Sequence, residues 1–119
     1  MTASIANGLL GRLSRAQRQP LLARCERVDL VESTVLCEQG ERVRHVYFPV
    51  DSFISLITVI DAGSAFETGL VGFEGMQGIS LVLGVATAPQ RAMVQGAGSA
   101  LRMPAAAFRR ELTQNPSLR

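Results

Sequence analysis

Four glycines stand three residues apart, at Gly69, Gly72, Gly75 and Gly78, on a chain that otherwise reads as short strands. They lie in the stretch Gly69-Leu-Val-Gly-Phe-Glu-Gly-Met-Gln-Gly-Ile-Ser-Leu-Val-Leu-Gly84, which is followed by Pro89-Gln-Arg-Ala-Met-Val94. Glycine lets the backbone take positive φ and approach another group closely. A run of turns with free N–H groups makes a concave nest for an anion, and Arg91 would add a fixed charge beside it. The other reading is that the glycines turn the corners of a barrel, where strands bend and backbones meet. The run is not G-x-G-x-x-G and lacks the Lys-Ser/Thr pair of a phosphate-binding P-loop. Triplets without proline also exclude collagen.

The rest of the chain punctuates itself. Ile5, Leu9, Leu10 and Leu13 have helical spacing, predicting a helix over residues 5–13. Ser14 reads as the N-cap of a second helix over residues 15–24, with Leu21 and Leu22 facing inward. Pro20 removes a backbone bond there, which predicts a kink or a later start. From Glu26 the period changes to strands: around Val28 and Leu30, over 35–37, and over 43–49 with His45, Tyr47 and Phe48. Residues 53–60 are apolar on both alternating faces, predicting a strand covered on both sides. Asp61-Ala-Gly63-Ser signals a hairpin, with residues 66–71 returning. Residues 91–95 and 100–103 give two more strands, and Pro104 reads as the first position of a last helix that Asn115-Pro116 stops. Short strands with turns every eight to twelve residues predict a mainly β sandwich, barrel or jelly roll with short flanking helices.

At 119 residues the chain is at most one domain, and 47% hydrophobic with 18% charged residues makes it globular. A net charge of +2, with arginines spread among acids, provides no basic block to track phosphates. Cys25 and Cys37 lack metal-site spacing, and a disulfide between them would need an oxidising compartment, of which the sequence carries no sign. The N-terminus has no apolar signal core, and the longest apolar run is too short for a membrane span, so a cytoplasmic location is expected.

Chemistry-bearing residues are few. His45 is the only histidine and reads as a surface or packing residue. Glu67 and Glu74 flank the glycines, but nothing pairs them with a nucleophile, and no Ser/His/Asp or Cys/His arrangement is readable. No enzyme, metal centre or resident cofactor is expected. Arg109-Arg110-Glu111 reads as a solvated helix face.

Taken in order, these pieces resemble the cyclic-nucleotide-binding-type sensor domain of the Crp/Fnr family of bacterial transcription regulators. The carrying residues are the Val35-Leu-Cys-Glu-Gln-Gly-Glu41 turn, the His45-Val-Tyr-Phe-Pro49 strand, the strand from Phe53 with its Asp61-Ala-Gly63 hairpin, and the glycine stretch. Arg91 and the ending Leu101-Arg-Met-Pro-Ala-Ala-Ala-Phe-Arg-Arg-Glu-Leu112 complete them. The resemblance implies a double-stranded β-helix, or jelly roll, with helices over 1–25, strands over 26–103 and a closing helix over 104–115. It places a ligand pocket on Gly72, Glu74, Gly75, Met76, Gly78, Ile79, Arg91 and Ala92.

The chain departs from the family's pattern in two places. Nucleotide binders of the family read close to Gly-Glu-Leu, then Arg-Ser/Thr, with the Glu on the ribose hydroxyl and the Arg on the cyclic phosphate. Here Ile79 follows Gly78, and Ala92 stands where the hydroxyl would be. A buried Ile79 would leave the ribose bond unmade, at about 1–3 kcal/mol. The resemblance thus implies a non-enzymatic sensor with a departed pocket and a small-molecule effector of unassigned chemistry. The alternatives are a genuine cyclic-nucleotide binder, through Arg91 and the amides of 75–79, and a stand-alone interaction module. The second departure is that the sequence reaches Arg119 without the family's dimerisation helix or helix-turn-helix. DNA contact, and a homodimer, are implied only for a complete protein.

Overall fold

The computed structural model describes residues 7–114. The first helix, α1 (Gly8–Gly11), is a single turn capped by Asn7, whose Oδ1 accepts from the Leu10 amide at 3.0 Å. The predicted helix over 5–13 is therefore shorter at its C-terminal side, and Ile5 lies outside the described residues. Helix α2 (Arg15–Arg24) begins with a reciprocal capping box. The Gln17 amide donates to Ser14 Oγ at 3.2 Å, and the Ser14 amide donates to Gln17 Oε1 at 3.0 Å. The helix starts ahead of Pro20 and runs through it, not after it. The lone amide lost at proline is outweighed by this cap and by Leu21, which the core buries.

Seven strands follow: β1 (Glu26–Leu30), β2 (Val35–Cys37), β3 (His45–Pro49), β4 (Phe53–Asp61), β5 (Ser64–Val71), β6 (Arg91–Gly96) and β7 (Gly98–Pro104). They form two antiparallel sheets, ordered β1-β7-β3 and β2-β6-β4-β5. Only β4 and β5 are consecutive strands that pair directly, which is the Asp61–Gly63 hairpin expected from sequence. The Gly63 amide donates to Asp61 Oδ1 at 2.9 Å and holds that turn. β6 then returns to the other side of β4 within the same sheet, and the remaining neighbours are reached by crossing between sheets, the weave of a jelly roll. Val46, Phe48, Ile54, Val94 and Met103 fill the space between the sheets and are almost wholly buried.

Three expectations change. β4 is not covered on both sides: Ile54 is buried, but Phe53 is exposed and Ile60 is 62% exposed. The reason is topological. β6 pairs with β4 only as far as Ile57, and beyond it β5 is the only paired strand, with Phe66 exposed alongside. Pro104 does not open the last helix, because it ends β7 opposite His45. Helix α3 (Ala105–Gln114) follows, and the Ala105 amide donates to the Arg44 carbonyl at 2.8 Å. Asn115-Pro116, read as its stop, lies outside the described residues. Finally, Glu111 is not solvated. It shares the buried face of α3 with Ala107, Phe108 and Leu112, and its carboxylate lies 3.9 Å from Arg24 of α2. Phe108 meets Phe48 edge-on, with ring centroids 6.5 Å apart, and so ties α3 to β3.

Candidate functional site

The glycine stretch resolves into four different jobs. Gly69 lies within β5 opposite Leu56, so the four do not make one continuous loop. Gly72 is buried where an added Cβ would come 3.1 Å from the Phe53 ring. The Gly75 amide closes a turn onto the Gly72 carbonyl at 3.1 Å, and the Gly75 carbonyl accepts from Asn7 Nδ2 at the same distance. Of the four, only Gly78 takes a positive φ, 105°. A Cβ there would stand 2.7 Å from Val46 Cγ1. Glycine is needed at this point because the chain crosses the β3 core strand with no room for a side chain.

Just before that crossing, Gln77 locks to Tyr47 through two backbone bonds of 2.8 and 3.1 Å. Just after it, a 3-10 helix (Ile79–Leu83) forms and ends at Gly84, whose φ is 82°. This helix was not read from the sequence. Residues 85–88 then return along the turn after β2. The Gly40 amide donates to the Ala88 carbonyl at 2.7 Å, Ala88 to Glu41 at 2.8 Å, and Val43 to Ala86 at 2.9 Å. Val43 is thus spent on this loop, and β3 begins two residues later than predicted.

Between the crossing and the return lies a recess of about 40 Å³. Met76, Gln77, Gly78, Ile79 and Ser80 form one wall, with Leu56, Ala88, Pro89 and Gln90 opposite. Met76, Gly78 and Ile79 therefore lie together on this recess. Gly72, Glu74 and Gly75 are not part of this lining, and Glu74 is exposed. Ala92 is fully buried on the inner face of β6, paired with Leu56. Arg91 opens β6 beside the recess, yet its guanidinium is turned to Glu38, with Nε 2.9 Å from Oε1. That hydrogen bond holds the Glu38 carboxyl below its ordinary pKa. Ile79, expected to be buried, is 54% exposed. As first residue of the 3-10 helix it stands at the surface on the recess rim.

Sequence reasoning missed Glu38, Gln77, Ser80 and Gln90. Glu38 belongs to the Gln39-Gly40-Glu41 turn, but nothing local points it at an arginine 53 positions away. Gln90 Nε2 donates to Thr68 Oγ1 at 2.6 Å, and Ser55 Oγ donates to Glu67 at 2.6 Å, so Glu67 serves the hairpin and not the recess. His45 is half-buried near Tyr47, its pKa lowered by burial and then by Arg102. Cys25 and Cys37 are both free thiols. Among the described residues no group of three His, Cys, Asp or Glu could hold a metal ion.

A second, larger cavity of about 200 Å³ lies on the other side of the 3-10 helix, between it and all three α-helices. Its lining side chains are all apolar, and Met76 and Ile79 border both spaces.

No protein-family model matches this chain, and no curated protein does. Solved structures do. The sensor domain of the transcriptional regulator DNR from Pseudomonas aeruginosa superposes with a TM-score of 0.76, at 19% identity over 98% of this chain and 79% of that one. The N-terminal domain of a transcriptional regulator from Streptomyces coelicolor A3(2) gives 0.73, at 16% identity over 98% and 82%. This chain has the jelly-roll fold of cyclic-nucleotide-binding-like domains. A putative cAMP-binding regulatory protein from Silicibacter pomeroyi gives 0.79 at 16% identity, and there the match covers 98% of this chain and 53% of the longer one. At these identities the fold is what is shared. The jelly roll expected from the resemblance is therefore the observed architecture, and these relatives are regulatory and sensor domains. Among the described residues no helix is long and apolar enough to cross a membrane.

Proposed function

We propose that this chain is the sensor domain of a Crp/Fnr-type transcription regulator, non-enzymatic, whose inherited nucleotide pocket has closed. The observation that carries the reading is the Arg91–Glu38 pair. The arginine that the resemblance assigns to the cyclic phosphate already holds a carboxylate at 2.9 Å. A phosphate would have to share the guanidinium with that carboxylate, whose negative charge opposes it, or displace it. The recess supports the same reading, because small-molecule pockets span roughly 300–1,000 Å³ and this one holds about 40 Å³. Ile79 offers no acceptor to a ribose hydroxyl, and because it stands 54% exposed it leaves that hydroxyl to water, so the nucleotide gains no specific ribose contact there. The effector is then a small molecule of another kind. DNA would be contacted through a further region of a longer protein, which acts as a homodimer in the cytoplasm.

Calorimetry tests the closed pocket directly. Cyclic AMP and cyclic GMP at millimolar concentration are expected to produce no saturable heat. Saturable heat that disappears in Arg91→Ala would overturn it in favour of a genuine nucleotide-binding domain. The regulatory role is tested by the mass of the protein from its native cells. A mass roughly double the 12.8 kDa of this chain fits a regulator with an added dimerisation and DNA-reading region. A mass equal to it would favour a stand-alone interaction module.

A further inference from the structure

We infer that the apolar cavity between the 3-10 helix and the three α-helices is a binding site for an uncharged, apolar small molecule of one or two rings. The inference deepens the sensor reading, on which it rests, by naming the effector's chemistry and a site other than the nucleotide recess.

The floor of the cavity is core. Leu10, Leu21, Phe48 and Phe108 line it and are at most 3% exposed. Protein interiors pack like organic crystals, with few voids larger than a water molecule. This space of about 200 Å³ opens to the surface, yet it reaches down to those core side chains and no described residue fills it. Its exposed lining residue is Ile79 of the 3-10 helix, with Leu9, Leu13 and Val82 half-buried around it. Ile79, a large aliphatic residue half in water at the first position of that helix, is well placed to close over an occupant.

Chemistry and size then restrict the occupant. No lining residue carries a polar side-chain group, so an ion or a strongly hydrogen-bonding molecule would lose its water without replacement. Apolar cavities of about 150 Å³ lined by Leu, Ile and Phe stay dry and take up benzene. The present volume admits a single ring with room for a second. Met76 suits a site of this kind, because its flexible, polarisable thioether adapts to aromatic surfaces. The walls come from five separate elements, α1, α2, β3, the 3-10 helix and α3, so an occupant bears on the packing of α3 and the 3-10 helix together. Through Met76 and Ile79 it also touches the wall of the recess.

The test uses the whole 119-residue chain with benzene and indole as probes and benzoate as the charged analogue. Thermal denaturation and the methyl NMR signal of Met76 are the readouts. A probe at ten times its Kd is expected to raise Tm by roughly 5–10 °C, with a saturable shift of the Met76 methyl. Benzoate should bind at least about tenfold more weakly. Ile79→Phe fills the mouth from an exposed position, and should keep the fold while weakening indole at least about tenfold. If that variant is unfolded, Leu13→Phe, at another half-buried lining position, replaces it. No saturable shift with either ring probe overturns the proposal, as does binding that leaves Met76 unmoved or survives the filled mouth undiminished. Its failure is separable from that of the closed nucleotide pocket: silence toward indole with no nucleotide heat removes only the cavity. Nucleotide heat with indole binding intact removes only the closed pocket.

Discussion

Replacing Gly78 with alanine probes the crossing on which the recess and the cavity both depend. Two costs add. The backbone sits at φ 105°, ψ 17°, a region where a non-glycine residue costs about 1–3 kcal/mol. The new methyl would also lie 2.7 Å from Val46 Cγ1 and 3.3 Å from Val46 Cβ. Val46 is fully buried and cannot swing into water, so overpacking adds about 1–3 kcal/mol. The total is about 2–6 kcal/mol, a large share of the stability of a domain this size. Gly84→Ala is the internal control. It has a similar φ of 82° but nothing within 4 Å of the added Cβ, so it should cost only the backbone part. Urea denaturation of both variants separates the terms. In a Val46→Ala background, which removes the clashing methyl, the cost of Gly78→Ala should fall toward that of Gly84→Ala. Equal costs for the two glycine variants in the wild-type background would refute the close approach of residue 78 to β3.

Three further outcomes are expected from other parts of the structure. Asn7 is buried, donating to the Pro49 carbonyl at 2.7 Å and the Gly75 carbonyl at 3.1 Å while capping α1; Asn7→Leu should cost about 2–4 kcal/mol in chemical denaturation, and a neutral result would contradict these bonds. Glu38 has its pKa depressed by Arg91, so the pair contributes stability above the ordinary carboxylate pKa and loses it as pH falls through the folded value. Its NMR titration midpoint should lie below 4.5 and move back up in Arg91→Ala; an unmoved midpoint would contradict the pair. Burial raises the Cys25 thiol to about 11 from 9.0, so its stabilising effect is complete below pH 9 and is lost as pH rises toward 11. A disulfide-exchange reagent at about pH 8 should label Cys25 far more slowly in the native protein than in urea, and equal rates would place it at the surface.

What could be read in advance was local. Ser14 and Gln17 cap a helix across three residues. Asp61 and Gly63 close a hairpin whose bond is contained in the turn itself. The switch from helical spacing to short strands at Glu26 is likewise written in adjacent residues. The resemblance to sensor domains then carried the order of these pieces to the jelly roll. Errors arose wherever a local pattern was asked about burial. The apolar alternation of β4 does not say that β6 stops pairing at Ile57. The Arg109-Arg110-Glu111 run does not say that α2 packs over Glu111. Pro104 is an acceptable first helical residue, yet strand pairing with His45 claims it.

The candidate site divides along the same line. By itself the sequence determined which residue types surround the crossing: a glycine at 78, no acceptor at 79, an arginine at 91. These are facts of composition and order, and they already weigh against a ribose. Only the tertiary structure decided what those residues do. It brought Glu38 to Arg91, turned Ile79 outward, narrowed the recess and left an apolar space behind the 3-10 helix. Helix caps and turns are set by steric and hydrogen-bond preferences acting over a few residues. Pairing partners and cavity volumes depend on which distant segments share the same space, and that emerges only when the two sheets and three helices close on one another.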